Sequence, residues 1–117
     1  EYVTLNNGIK MPKLGYGVYQ TPSEEHRSID TAQAYYNEEG VGAALKESSL
    51  PREEFFLTTK VWITNAGYEK AKASIEDYAQ AVADYLDLLL IHQPFGDYYG
   101  TYRAMEGLYK AGKLHAI

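Results

Sequence analysis

The chain has 117 residues, 45% of them apolar, which suffices for one hydrophobic core and is too short for two. Its net charge of −5 and pI near 5.1 argue against a nucleic-acid or anionic-membrane surface. The absence of cysteine rules out a disulfide framework and any thiolate metal site. No apolar run approaches the ~18 residues that span a bilayer and no secretory signal opens the sequence, so a cytoplasmic location is expected. Tyrosine occurs 12 times and tryptophan once, at Trp62, a composition suited to rims and pockets as well as to strands.

In chain order, residues 2–5 and 9–11 alternate apolar and polar side chains around Asn6-Asn7-Gly8, which predicts a β-hairpin. An isolated hairpin is marginal in water, so it should plug or cover a larger body. Residues 14–20 read as a first core strand. Gly15 and Gly17 there permit close approach by a neighbouring strand or by a ligand. Thr21-Pro22-Ser23-Glu24-Glu25 has the capping residue, proline and acids of a helix start. Yet residues 26–30 already form the next strand. A parallel crossover needs at least about a dozen residues, so a helix is missing at this junction.

Asn37 is placed to cap a helix with Glu38 and Glu39 in its first turn and a stripe of Val41, Ala44, Leu45 and Ser48, weakened by Gly40 and Gly42. A strand follows over 55–59. From about Tyr68 a longer helix presents Ile75, Tyr78, Ala79 and Val82 on one face. Residues 85–91 are almost continuously apolar, the pattern of a strand covered on both faces. A last helix over about 101–111 is expected to bury Tyr102, Met105, Leu108 and Tyr109, with Gly112 as terminator, before a strand starts at 113–117. Alternating strands and helices predict a parallel α/β sheet or barrel.

Three of these strands deliver an ionisable group at the carboxyl end, where parallel α/β folds place ligands and chemistry. They carry Asp30, Lys60 and His92, and Tyr35 follows Asp30 by five residues. An ammonium near a phenol favours its ionised form, a carboxylate holds the ammonium, and the phenol becomes a proton donor to a carbonyl oxygen that the imidazole orients. The simpler alternative is a structural Lys60–Asp30 ion pair with His92 a satisfied core histidine.

Asp30-Thr-Ala-Gln-Ala-Tyr35, Thr58-Thr-Lys60-Val-Trp62 and Leu90-Ile-His92-Gln-Pro94 together resemble three signature segments of the aldo-keto reductase superfamily, in that order. Gly15-Tyr-Gly-Val-Tyr19 resembles its first barrel strand, and the Asn-Gly hairpin resembles the one closing its barrel floor. The likeness runs almost end to end and is nearest to bacterial-type reductases. It implies that residues 1–117 form one partial (β/α)8 TIM barrel domain, the N-terminal half with a floor-closing hairpin and without the first barrel helix. It also implies reduction of aldehydes and ketones to alcohols with NADPH and no metal.

By the same resemblance Tyr35 is the proton donor, Lys60 and Asp30 tune it, and His92 orients the substrate. Gly17, Val18 and Asp30 fall near the nicotinamide ribose, and Tyr19 and Trp62 match aromatic pocket positions. Most other cofactor contacts in the family come from segments that would follow Ile117. Two rivals accompany the reductase reading. One is a non-catalytic half-barrel that oligomerises through open sheet edges. The other is a small-ligand module built on Tyr19, Trp62 and the Tyr98-Tyr99 loop.

Overall fold

The computed structural model describes residues 1–17, 28–36, 38–82 and 84–117. Strands β1 (Tyr2–Thr4) and β2 (Lys10–Pro12) pair antiparallel with Val3 opposite Met11, the expected hairpin. Its loop differs from a tight Asn-Gly turn: only Gly8 takes a positive φ, 88°. The Leu5 carbonyl accepts from the Gly8 N–H at 2.9 Å, and the Leu5 N–H donates to the Ile9 carbonyl at 2.8 Å. That geometry is a three-residue loop with glycine in the left-handed position. The Asn7 amide then donates to the His115 carbonyl at 2.7 Å, which ties the hairpin to the amino end of the neighbouring sheet.

That sheet is parallel and runs β3 (Tyr16–Gly17), β4 (Ser28–Asp30), β5 (Phe56–Val61) and β6 (Leu88–Ile91), in that order. Gly17 lies opposite Asp30, Asp30 opposite Thr58, and Thr58 opposite Leu88. A further neighbour begins with one parallel bridge between Leu86 and Leu114, where the sequence predicts a strand. The strand expected from residue 14 starts later, because Leu14 is 88% exposed. Val18, Tyr19, Gln20, the helix start at 21–25, residues 26 and 27, and the Asn37 cap lie outside the described residues.

The helices are α1 (Glu38–Glu47), α2 (Tyr68–Val82) and α3 (Tyr98–Lys110). The i, i+3, i+4, i+7 spacing in α2 buries Ile75, Tyr78, Ala79 and Val82 as predicted. Ile75, Tyr78 and Val82 pack with Leu57, Val61, Leu86, Leu89, Met105, Leu108 and Leu114 into the core. Each fully buried leucine contributes about 1.5–3 kcal/mol relative to exposure. Gly42 of α1 serves this packing: a Cβ there would stand 3.4 Å from the Ala81 carbonyl oxygen and from the Val82 Cα.

Two expectations are corrected. β6 is not covered on both faces: Leu89 is fully buried, but Leu90 is 38% exposed. The helices α2 and α3 pack on one face of the sheet, and side chains alternate between faces along a strand. The last helix starts at Tyr98, because Asp97 caps it and accepts from the Gly100 N–H at 2.9 Å. Starting there, its inward face is Thr101, Ala104, Met105 and Leu108, whereas Tyr102 and Tyr109 are 43% and 39% exposed. Gly112 does terminate it, with φ 78°, and the Lys113 and Gly112 N–H groups bond back to Leu108 and Tyr109.

At the amino end of the sheet Arg52 donates to Asp87 at 2.7 Å, and Asp87 also accepts from the Leu57 N–H at 2.9 Å. The Arg52 guanidinium covers the Tyr85 ring at 4.1 Å, and Tyr85 stacks on His115. This network fixes the floor of the sheet opposite the site. Among the described residues, no helix is long and apolar enough to cross a membrane.

Candidate active site

Parallel pairing aligns the carboxyl ends of β4, β5 and β6, so their terminal side chains meet. Asp30 ends β4, Lys60 is the penultimate residue of β5, and His92 follows β6 directly with its N–H on the Val61 carbonyl at 3.1 Å. Tyr35 arrives differently. It ends a 3-10 turn (Gln33–Tyr35) that folds back at once because Tyr36 takes φ 54° and donates to the Gln33 carbonyl.

Lys60 Nζ pairs with Asp30 Oδ1 and donates to the Thr31 carbonyl at 3.0 Å. The lysine side chain is mostly buried and that of Asp30 is half-exposed. Nζ stands 5.4 Å from the centroid of the Tyr35 ring. The Tyr35 ring meets the His92 ring edge-on at 5.8 Å, and the Trp62 ring meets it from elsewhere at 5.1 Å. Asp30, Tyr35, Lys60, His92 and Trp62 are therefore one cluster. A carboxylate–ammonium pair, a phenol, an imidazole and an indole wall can hold a polarised oxygen and pass it a proton.

The alternative of a satisfied core histidine does not describe His92. Its Nδ1 is buried and has no hydrogen-bond partner among the described residues. The two glycines also separate. A Cβ at Gly15 would lie 3.2 Å from Ser28 Oγ, so close approach there serves strand packing. At Gly17, beside Asp30, a Cβ would meet nothing within 4 Å among the described residues. Val18 and Tyr19, the other expected cofactor and pocket residues, lie outside the described residues.

Sequence reasoning assigned no role to Gln33, which braces this cluster, or to Thr101 on α3. Gln33 Oε1 accepts from the Trp62 N–H at 3.0 Å and from Asn65 Nδ2 at 2.9 Å, and its Nε2 donates to Ser74 Oγ at 3.2 Å. Thr101 Oγ1 accepts from the Gly67 N–H at 2.9 Å and donates to the Asp97 carbonyl at 3.0 Å, which ties the starts of α2 and α3 together. A signal for Gln33 was available: an amide two residues before Tyr35 in the same short turn. A groove of about 350 Å³ lies behind Gln33 between α1 and α2, with Asn65, Ser74, Tyr78 and Val82 also in its lining. None of the clustered ionisable residues lines it.

Parallel strands alternating with helices, with ionisable groups gathered at their carboxyl ends, define an α/β protein of the barrel type. Residues 23–117 match the Aldo/keto reductase family, and the chain belongs to it. It is 46% identical to the glyoxal reductase of Bacillus subtilis (strain 168), covering 98% of this chain and 47% of that protein. The match runs over 130 positions, more than the 117 residues here, so that relative carries residues within the matched stretch that this chain lacks.

Among solved structures, MGS-M4, an aldo-keto reductase from a Medee basin deep-sea metagenome library, superposes with a TM-score of 0.88 at 42% identity, over 97% of this chain and 47% of its own. A Bombyx mori aldo-keto reductase in complex with NADP superposes at 0.84 with 26% identity, over 97% of this chain and 48% of its own. The chain thus spans about half the length of these relatives and is a partial (β/α)8 barrel, with its sheet not closed among the described residues.

Proposed function

We propose that this chain provides the proton-donating side of an NADPH-dependent reductase that converts aldehydes and ketones to alcohols. The observation that carries the proposal is the convergence of the Lys60–Asp30 pair, the Tyr35 ring and the His92 ring at three aligned strand ends. Tyr35 donates its phenolic proton to the carbonyl oxygen as negative charge develops there. Lys60, held by Asp30 and the Thr31 carbonyl, places a positive charge beside the phenol and stabilises it as the proton leaves. His92 orients the oxygen, and the Trp62 ring beside it forms an aromatic wall that excludes water.

A nicotinamide cofactor, when bound, supplies the hydride. Gly17 and Asp30 would hold its ribose, a fit supported by the space over Gly17, open among the described residues, next to the half-exposed Asp30. The relative named for glyoxal makes small dicarbonyls the first substrates to assay. In the protein at its full natural length, NADPH oxidation with glyoxal is expected, and Tyr35→Phe should lower turnover at least about a hundredfold. Undiminished turnover in that variant would remove Tyr35 as donor.

One observation favours a second reading, a half-barrel that pairs with another copy. The exposed Leu90 and the open sheet order leave apolar surface and strand edges uncovered among the described residues. Concentration-dependent sedimentation without NADPH oxidation would favour that reading over the first.

A further inference from the structure

We propose that Gln33 is a positioning residue, the single amide that sets the separation between the Tyr35 turn and the Trp62 wall. Its consequence for turnover rests on the reductase reading above, whereas its structural content does not.

Gln33 opens the turn that ends in Tyr35, and that turn is closed by the Tyr35 N–H on the Ala32 carbonyl at 3.0 Å and the Tyr36 N–H on the Gln33 carbonyl at 3.3 Å. Where the Gln33 backbone goes, Tyr35 follows. Across the gap, Trp62 lies two residues beyond Lys60 and heads the 3-10 turn (Ile63–Asn65), whose Asn65 N–H bonds to the Trp62 carbonyl at 2.9 Å. Both groups this loop presents to Gln33 are donors: the Trp62 N–H and the Asn65 amide. One carbonyl oxygen, Gln33 Oε1, takes both, and so uses both of its lone pairs.

The other half of the amide gives the assembly a reference point. Gln33 Nε2 donates to Ser74 Oγ, and that hydroxyl donates to the Ala71 carbonyl at 3.0 Å. Ser74 stands on α2, which is anchored in the core through Ala71, Ile75 and Tyr78. One side chain thus joins the turn carrying Tyr35, the loop carrying Trp62 and a helix that cannot shift without disturbing the core. The indole that this loop delivers meets His92 at 5.1 Å. Loss of Oε1 leaves two part-buried donors unpaired, and the loop must move to find other acceptors. The indole then leaves its place beside His92.

Two substitutions separate positioning from simple bracing. Gln33→Leu keeps the bulk and removes the acceptor. Gln33→Glu keeps the acceptor, and the Ser74 hydroxyl can rotate its hydrogen to the second carboxylate oxygen. Trp62 is the only tryptophan in the chain, so emission and acrylamide quenching report on this loop alone. In the 117-residue chain, Gln33→Leu should shift the emission to the red and raise quenching at a temperature where far-ultraviolet circular dichroism is unchanged. Gln33→Glu should behave as wild type. In the protein at its full natural length, Gln33→Leu should raise KM for the carbonyl substrate about tenfold while kcat moves less, and Gln33→Glu should restore it.

Emission and KM unchanged in Gln33→Leu, with only a lowered melting temperature, would overturn the inference and leave Gln33 a brace. If Gln33→Leu fails to fold, Gln33→Asn, one methylene shorter, takes the same measurements, and wild-type-like emission in it would equally overturn the inference. A wild-type protein that turns over no carbonyl would refute the reductase reading alone, because the emission measurements still decide the role of Gln33.

Discussion

Asp30 and Lys60 illustrate how much one residue depends on its neighbours. The ammonium is mostly buried, yet it has two acceptors, the Asp30 carboxylate and the Thr31 carbonyl, while the carboxylate is half in solvent. An exposed partner weakens the Coulombic gain. Asp30→Asn should therefore lower stability by only about 1 kcal/mol, because an amide oxygen still accepts from Lys60. Turnover should fall far more, because the charge that holds the ammonium beside Tyr35 is gone. Urea unfolding beside initial rates would check this, and equal, small losses in both would show a merely structural pair. These residues were legible in the sequence because each ionisable group terminates or follows a β-rich run. Gln33 was not assigned, since an amide reveals its partners only once two loops face each other.

At the scale of elements, what the sequence conveyed was periodicity. The α2 stripe and the Gly112 terminator follow from it directly. The burial of Tyr102 and Tyr109 did not follow, because the Asp97 cap starts α3 three residues before the expected position and its inward face is Thr101, Ala104, Met105 and Leu108. A tyrosine at a helix flank keeps its hydroxyl wet at little cost, so apolar patterning alone overstates its burial. The far end of α2 offers a test. Asp84 follows it with φ 65° and donates its N–H to the Ala79 carbonyl at 2.8 Å. A non-glycine residue in that conformation costs about 1–2 kcal/mol. Asp84→Gly should raise the unfolding free energy by about 1 kcal/mol, the relief being partly offset by the entropy of glycine in the unfolded chain. A lowered melting temperature would mean that the Asp84 side chain contributes more than its backbone costs.

At the scale of the molecule, the parallel sheet was expected from alternating strand and helix signals, and the hairpin from Asn6-Asn7-Gly8. The exposure of Leu90 was not, since an apolar run does not say whether a second layer exists to cover it. Stability of the whole also carries a pH signature at the sheet floor. Burial raises the Tyr85 phenol above its ordinary value of 10.0, the Arg52 guanidinium opposes this, and Asp87 and Glu53 add to it. A raised folded value means that the fold prefers the neutral phenol. Its contribution is complete below pH 10.0 and is lost as pH rises through the folded value. Stability should accordingly fall above that pH, and Tyr85→Phe should flatten part of the fall. Identical alkaline slopes for variant and wild type would contradict the assignment.

We propose that Tyr35, set among Lys60, Asp30 and His92, is the proton donor of a carbonyl reductase. The most direct measurement compares the rate of NADPH oxidation with glyoxal for the wild type and for Tyr35→Phe, in the protein at its full natural length and with matched circular dichroism spectra. Steady oxidation is expected in the wild type, with a loss of at least about a hundredfold in the variant. Equal rates in the two proteins, or no oxidation in the wild type, would contradict it.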